Sequence, residues 1–338
     1  MVRYPVVLTL LAVLLVATAT TGVAVGSVAV PAAEVWQILL HRVLPRAFDQ
    51  TWSPARAAIV LDARLPRVLL AALVGAGLAV CGMVLQAVVR NPLADPMLLG
   101  VSSGASVGAV LVLVAGVGAG LVAMPLAAFL GALGALVAVY LLARTGGRMT
   151  TIRLILAGVA VAEVLSAVAS LLIVTSDDPH KAQSAVRWLL GGLGGATWST
   201  LWVPTLVVLV GVGVLLAVTR SLNLLYSGEE AATTLGLDVH RFRAAMFVVV
   251  ALMVGAMVAV TGAIGFVGLI MPHVVRMLVG ADHRRALPAA ALLGASFLIA
   301  CDIAARTVAA PEELPVGILT ALVGGPYFLW LMRRRAPA

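Results

Sequence analysis

A chain of 338 residues that is 62% hydrophobic and only 11% charged lies outside soluble composition, where about 25% of residues are charged. Its net charge of +8 comes from dispersed arginines with no basic module between them, so nucleic-acid binding is excluded as a reading. Cys81 and Cys301 both fall inside apolar runs, which argues against a structural disulfide or a metal site.

With a mean hydropathy of +1.14, the chain reads as an all-α polytopic membrane protein. About 20 apolar residues cross a bilayer, and ten such runs occur, near 6–30, 66–88, 101–117, 121–143, 152–174, 200–219, 244–261, 264–279, 287–305 and 315–332. The expected organisation is one transmembrane domain, 1–338, with ten helices and no soluble domain. The first run is too long for the apolar core of a signal peptide and reads as a true span.

Ten spans place both termini on one side, and positive charge chooses that side. With the termini in the cytoplasm, 14 of the 22 Lys and Arg are cytoplasmic. The rest are Arg42, Arg46, Arg56, Arg64, Arg67, Lys181, Arg187 and Arg306. Five tryptophans, Trp36, Trp52, Trp188, Trp198 and Trp202, then form an outer belt, and Trp330 an inner one.

An echo with a constant offset of 180 residues links Val74-Gly75-Ala76 to Val254-Gly255-Ala256, Gly82 to Gly262 and Pro92 to Pro272. It predicts an inverted internal repeat, spans 2–5 against spans 7–10, of the kind that places a pathway between halves. Gly100-Val101-Ser102-Ser103-Gly104 has the G-x-S-x-G spacing of a nucleophile elbow, but it opens a span with no strand before it. Close helix packing through small residues is the better reading.

Three ionisable residues fall within spans: Glu163, His273 and Asp302. Asp302 stands four residues before Arg306, which predicts an i, i+4 ion pair. His273 follows Pro272 and reads as a structural imidazole. Glu163 is central in its span and stays open between two readings: a protonated carboxyl bonded to a neighbouring helix, or a contact to the pathway.

Between spans six and seven lies a polar island, 220–243. Ser227 and Glu230 have the spacing of a capping box, Glu229 and Glu230 suit the first turn of a helix, and Gly236 suits its stop. The chain has one lysine, Lys181, and no loop in which Lys follows Gly at a helix start. It therefore lacks that route to ATP hydrolysis, and a short acidic cytoplasmic helix becomes a candidate inlet for energy.

Three long segments carry a resemblance. RLPRVLLAALVGAGLAVCGMVLQAVVRNPLADPMLLGVSSGASVG (64–108), GAIGFVGLIMPHVVRMLVGADHRRALP (262–288) and ELPVGILTALVGGPYFLWLMRRR (313–335) resemble the FecCD-like permeases of type II ABC importers. Those permeases import iron-siderophore, haem or cobalamin. The resemblance implies a homodimer in the prokaryotic cytoplasmic (inner) membrane, two cytoplasmic ABC ATPase subunits and an outer substrate-binding protein. It implies no catalytic site and no cofactor or metal on this chain, with ATP and Mg on the partner ATPase. Leu224, Ser227, Gly228, Glu229, Glu230, Ala231, Leu235 and Gly236 match the ATPase-coupling region. Arg64, Arg67 and Arg306 match rim residues that dock the binding protein. Asn91, Pro92, Leu93, Thr150 and Thr151 fall at the inner narrowing of the pathway, with Gln86 as a lining residue. The expected cargo is a ferric siderophore, with haem and then cobalamin as alternatives. A secondary carrier that needs no ATP is the remote one.

Overall fold

The structure is a computed structural model describing residues 4–26, 28–45, 50, 52–116, 123–145, 148–149 and 151–335. In chain order the helices are α1 (Tyr4–Ala24), α2 (Ala32–Val43), α3 (Pro54–Ala58), α4 (Leu65–Val89), α5 (Val101–Ala115), α6 (Ala123–Ala143) and α7 (Thr151–Val174). There follow α8 (Pro179–Leu189), α9 (Trp198–Ala217), α10 (Thr219–Ser227), α11 (Glu229–Thr234), α12 (Val239–Thr261), α13 (Val267–Val279), α14 (His283–Thr307) and α15 (Val316–Arg335). A π-helical segment, Ile59–Arg64, fuses α3 to α4. Apart from helices, the described residues hold one two-residue antiparallel pairing, Arg144–Thr145 with Arg148–Met149.

Among the described residues, seven helices are long and apolar enough to cross a membrane: α1, the fused run Pro54–Val89, α6, α7, α9, α12 and α14. Three shorter apolar helices, within α5, α13 and α15, occupy the remaining apolar runs of the sequence. Two boundaries differ from expectation. The first helix ends at Ala24 rather than near 30, and the stretch 31–65 holds α2 and the start of the α3–α4 run. The cause lies at Gly26, where an added Cβ would lie 2.5 Å from the Arg64 guanidinium, so the chain turns there to admit that side chain.

α4 is the hub, packed on α14, α13, α12 and α9. It reaches this position through small residues, because no hydrophobic force draws helices together in lipid and close backbone approach must supply the attraction. A Cβ at Gly75 would lie 2.2 Å from the Gly294 carbonyl oxygen of α14, and one at Gly82 would lie 1.9 Å from that of Gly268 on α13. α5 meets α6 the same way, with Gly104 against Gly131 and Gly108 against Ala127. Of the G-x-S-x-G spacing, Gly104 belongs to that seam, and Gly100 precedes α5 at φ 72° and faces Gly158 of α7.

The ungapped offset of 180 residues does not equate structural positions. Gly82 lies inside α4, whereas Gly262 ends α12 at φ 66°. Pro92 sits in a turn, whereas Pro272 lies inside α13.

α1 and α14 run side by side in the same direction. The Arg285 guanidinium lies 5.8 Å from the Tyr4 ring at one end, and Arg306 reaches Gly22 and Val25 at the other. The N-terminal end of the chain therefore shares a face with the start of α14.

Candidate functional site

At that same face, α10 and α11 form a bent pair. α10 is amphipathic, burying Thr219, Leu222 and Leu225 and leaving Tyr226 about half exposed. The chain breaks at Gly228, whose φ of 137° no side-chain-bearing residue adopts readily. The capping box expected from Ser227 and Glu230 is not formed. Ser227 remains the last residue of α10, and its hydroxyl donates back to the Asn223 carbonyl at 3.1 Å. α11 begins with no side-chain cap. It stops at Gly236, where Gly236 N–H donates to Thr233 O and Leu237 N–H to Ala232 O, the paired bonds of a Schellman turn.

Two braces hold this pair from behind. Glu229 accepts from Arg243 of α12 at 2.6 Å, and Arg243, itself buried, also donates to the Val88 carbonyl at 3.2 Å. A desolvated guanidinium needs such partners, and its bond holds the Glu229 carboxyl below the usual carboxylate range. Glu229 is thus committed inward. Asn223 forms the second brace. Its amide donates to Asp282 at 2.7 Å, and its oxygen accepts from the His283 backbone at 2.9 Å. Asp282 caps α14, and the Asn223 bond lowers its carboxyl pKa. Glu230, Ala231 and Leu235 stay exposed, Leu235 by 66%. Leu224 is half-buried against the core. Sequence reading missed Asn223 and Arg243. Their one signal is a polar residue on the apolar face of a helix.

Val88 leads into the turn expected to narrow the pathway. Arg90 ends α4 at φ 55°, and Asn91 Oδ1 accepts from Leu93 N–H at 2.9 Å, leaving Pro92 and Leu93 exposed. Asp95 caps the following 3₁₀ turn, and burial pushes its carboxyl up to about 6. The chain Glu229–Arg243–Val88 therefore joins α11 to the end of α4 and the 91–93 turn. Gln86, expected to line the pathway, has a structural role in the fold. It is buried in the single chain, donates to Gly268 O at 3.2 Å and accepts from Arg276 at 2.5 Å, so it clamps α4 to α13. Thr150 lies outside the described residues, and Thr151 is described only as the first residue of α7.

At the opposite end, the three expected rim arginines converge on one cluster. Arg67 Nε is 2.9 Å from Asp302 and its Nη1 2.8 Å from Glu313. Asp302 also pairs with Arg306 at 3.0 Å, the i, i+4 bridge read from the sequence. Arg64 and Arg306 are largely buried, and each turns its guanidinium to backbone carbonyls while lining the same cavity as Arg67. Arg64 donates to the carbonyls of Val23, Ala24 and Val28, and Arg306 to those of Gly22 and Val25. The last carbonyls of a helix have no partner within it and carry its negative pole, so these two arginines cap α1. Arg67, with 12% of its side chain exposed, borders a cavity of 640 Å³ with Glu313.

Glu163 stands apart from both ends. It is exposed on α7, and none of the described residues bonds or pairs with it. The neighbouring-helix bond offered by one of its two readings is absent among those residues.

The model of the FecCD transport family matches residues 10–334. The chain is 48% identical over 289 residues to the cobalamin import system permease protein BtuC of Halobacterium salinarum, covering 83% of this chain and 75% of that one. It is 46% identical over 282 residues to the hemin transport system permease protein HmuU of Yersinia pestis, covering 82% and 84%. It is 39% identical over 276 residues to the Fe(3+) dicitrate transport system permease protein FecD of Escherichia coli, covering 82% and 85%. A solved structure described as an inward-facing metal-chelate type ABC transporter superposes with a TM-score of 0.85 at 34% identity, over 98% of this chain and 99% of that one.

Proposed function

The chain belongs to the FecCD transport family of ABC importer permeases, and from that premise we propose that it works as a homodimer carrying a ferric siderophore inward. In this reading all ten apolar runs cross the membrane, both termini face the cytoplasm, and α10–α11 docks on a cytoplasmic ATPase subunit. A binding protein delivers cargo at the Arg67–Glu313 rim. The 48% identity to a cobalamin permease favours a corrinoid as the second reading, and the 46% identity to a hemin permease places haem beside it.

The observation that carries the coupling role is the construction of α10–α11. Its inner face is bolted by Arg243 and Asn223, while Tyr226, Glu230, Ala231 and Leu235 are left open. A docked ATPase that shifts this pair moves α14 through Asn223 and the end of α4 through Arg243. Both helices run to the Asp302 cluster at the other end, so closure of the ATPases is felt where cargo enters. Packed helices that move as rigid elements transmit such shifts without large local distortion.

Purified chain in proteoliposomes, with and without its ATPase subunits and binding protein, tests the reading. Uptake of cargo only with all components and ATP is the expected result. Uptake by the chain alone would replace the importer subunit with a secondary carrier.

A further inference from the structure

α7 turns only a narrow face to the bundle, through Leu154, Gly158 and Ala169. Beside that face, from the edge that meets α5 outward, lie Ser166, Glu163 and Ser170, all exposed and spaced three and four residues apart. At helical periodicity these form one polar stripe about 10 Å long. Glu163 sits in the middle turns of the 24-residue helix, and Ser166 Oγ lies 3.2 Å from Ser103 Oγ of α5. The other carboxyl and imidazole groups within the apolar runs, those of Asp302 and His273, are buried in the protein. The middle turns of α1, α9 and α15 expose no ionisable residue at all.

An ionisable side chain at mid-membrane faces protein or a water-filled cavity rather than acyl chains. A dry contact between two copies would bury two carboxyls with no donors, which is costly. Water satisfies both. Resting on the permease reading above, we propose that Glu163 and its counterpart in a second copy line a water-filled cargo passage and act as its charge filter. The filter favours chelates that are neutral or cationic, or that present amide and hydroxamate N–H and O–H donors. It disfavours chelates that present carboxylates or catecholates.

The two native cysteines are buried, which suits thiol labelling. The experiment places Ser170→Cys in the complete transporter in proteoliposomes, Cys81 and Cys301 being replaced by Ala. It compares modification by a cationic and an anionic water-soluble methanethiosulfonate, with Glu163 intact and with Glu163→Gln. Both reagents are expected to react. The cationic-to-anionic rate ratio is expected to fall about tenfold on Glu163→Gln, the scale of one charge acting over ~10 Å in a medium between water and protein. An unreactive Ser170→Cys chain, meaning a face against lipid or a dry dimer seam, overturns the proposal. So does a ratio unchanged by Glu163→Gln. Assembly with the ATPase is scored on the same preparations. Loss of labelling in a chain that still couples to ATPase defeats this inference alone, and labelling without an ATPase partner defeats the importer reading alone.

Discussion

The fused run Pro54–Val89, which contains α4, and α7 are both strongly apolar, yet most of the first is buried and little of the second. Hydropathy therefore reports the solvent a helix leaves, not the surface it meets. α4 carries glycines in register with those of α13 and α14, and backbone meets backbone along it. α7 has one glycine turned inward and a carboxyl turned outward. One helix is the core of the chain, and the other leaves most of its surface outside it.

That contrast can be broken at several strengths. Gly82→Leu should abolish folding, since even a Cβ would meet Gly268 backbone at 1.9 Å. The check is yield of monodisperse protein in detergent, with Leu156→Ala on the exposed face of α7 unaffected. Asp302→Ala strips Arg67 and Arg306 of their shared partner and should cost about 3–5 kcal/mol, as removal of one member of a buried pair does. Thermal unfolding in detergent measures it. Arg243→Met leaves the Val88 carbonyl unpaired in the core and frees Glu229, at about 1–3 kcal/mol.

Titration gives the smallest effects, of opposite sign at two sites. Glu229 has its native pKa lowered by Arg243, so its stabilisation is complete above the ordinary value of 4.5 and fades as pH falls through the lower native value. Asp95 has its native pKa raised to about 6 from 3.8, so its contribution is largest below 3.8 and is lost as pH rises to about 6. Asp95→Asn should flatten the fall in stability between those two pH values. An unchanged slope would remove Asp95 as its source.

Every apolar run in the sequence holds a helix, because the demand for internal backbone hydrogen bonding in lipid leaves few alternatives. The hub was not legible, since glycine register acts between segments about 190 to 220 residues apart, as Gly82–Gly268 and Gly75–Gly294 are. The capping of α1 by Arg64 and Arg306 was not legible, because their partners are backbone carbonyls, which side-chain patterns do not display. The Ser227–Glu230 spacing misled for a related reason: Gly228 between them sets the break, and Ser227 belongs to the helix before it. The Asp302–Arg306 bridge and the Gly236 stop were legible because both are local.

In the proposed importer, α10–α11 receives the work of an ATPase. Glu230→Lys combined with Leu235→Glu alters only its open face and leaves the Arg243 and Asn223 braces in place. The direct measurement is ATP hydrolysis by the assembled transporter as binding protein is added. Loss of ATPase co-purification and of stimulated hydrolysis, with the permease melting at its usual temperature, is the predicted result. Full assembly and full stimulation in that double variant would contradict the account.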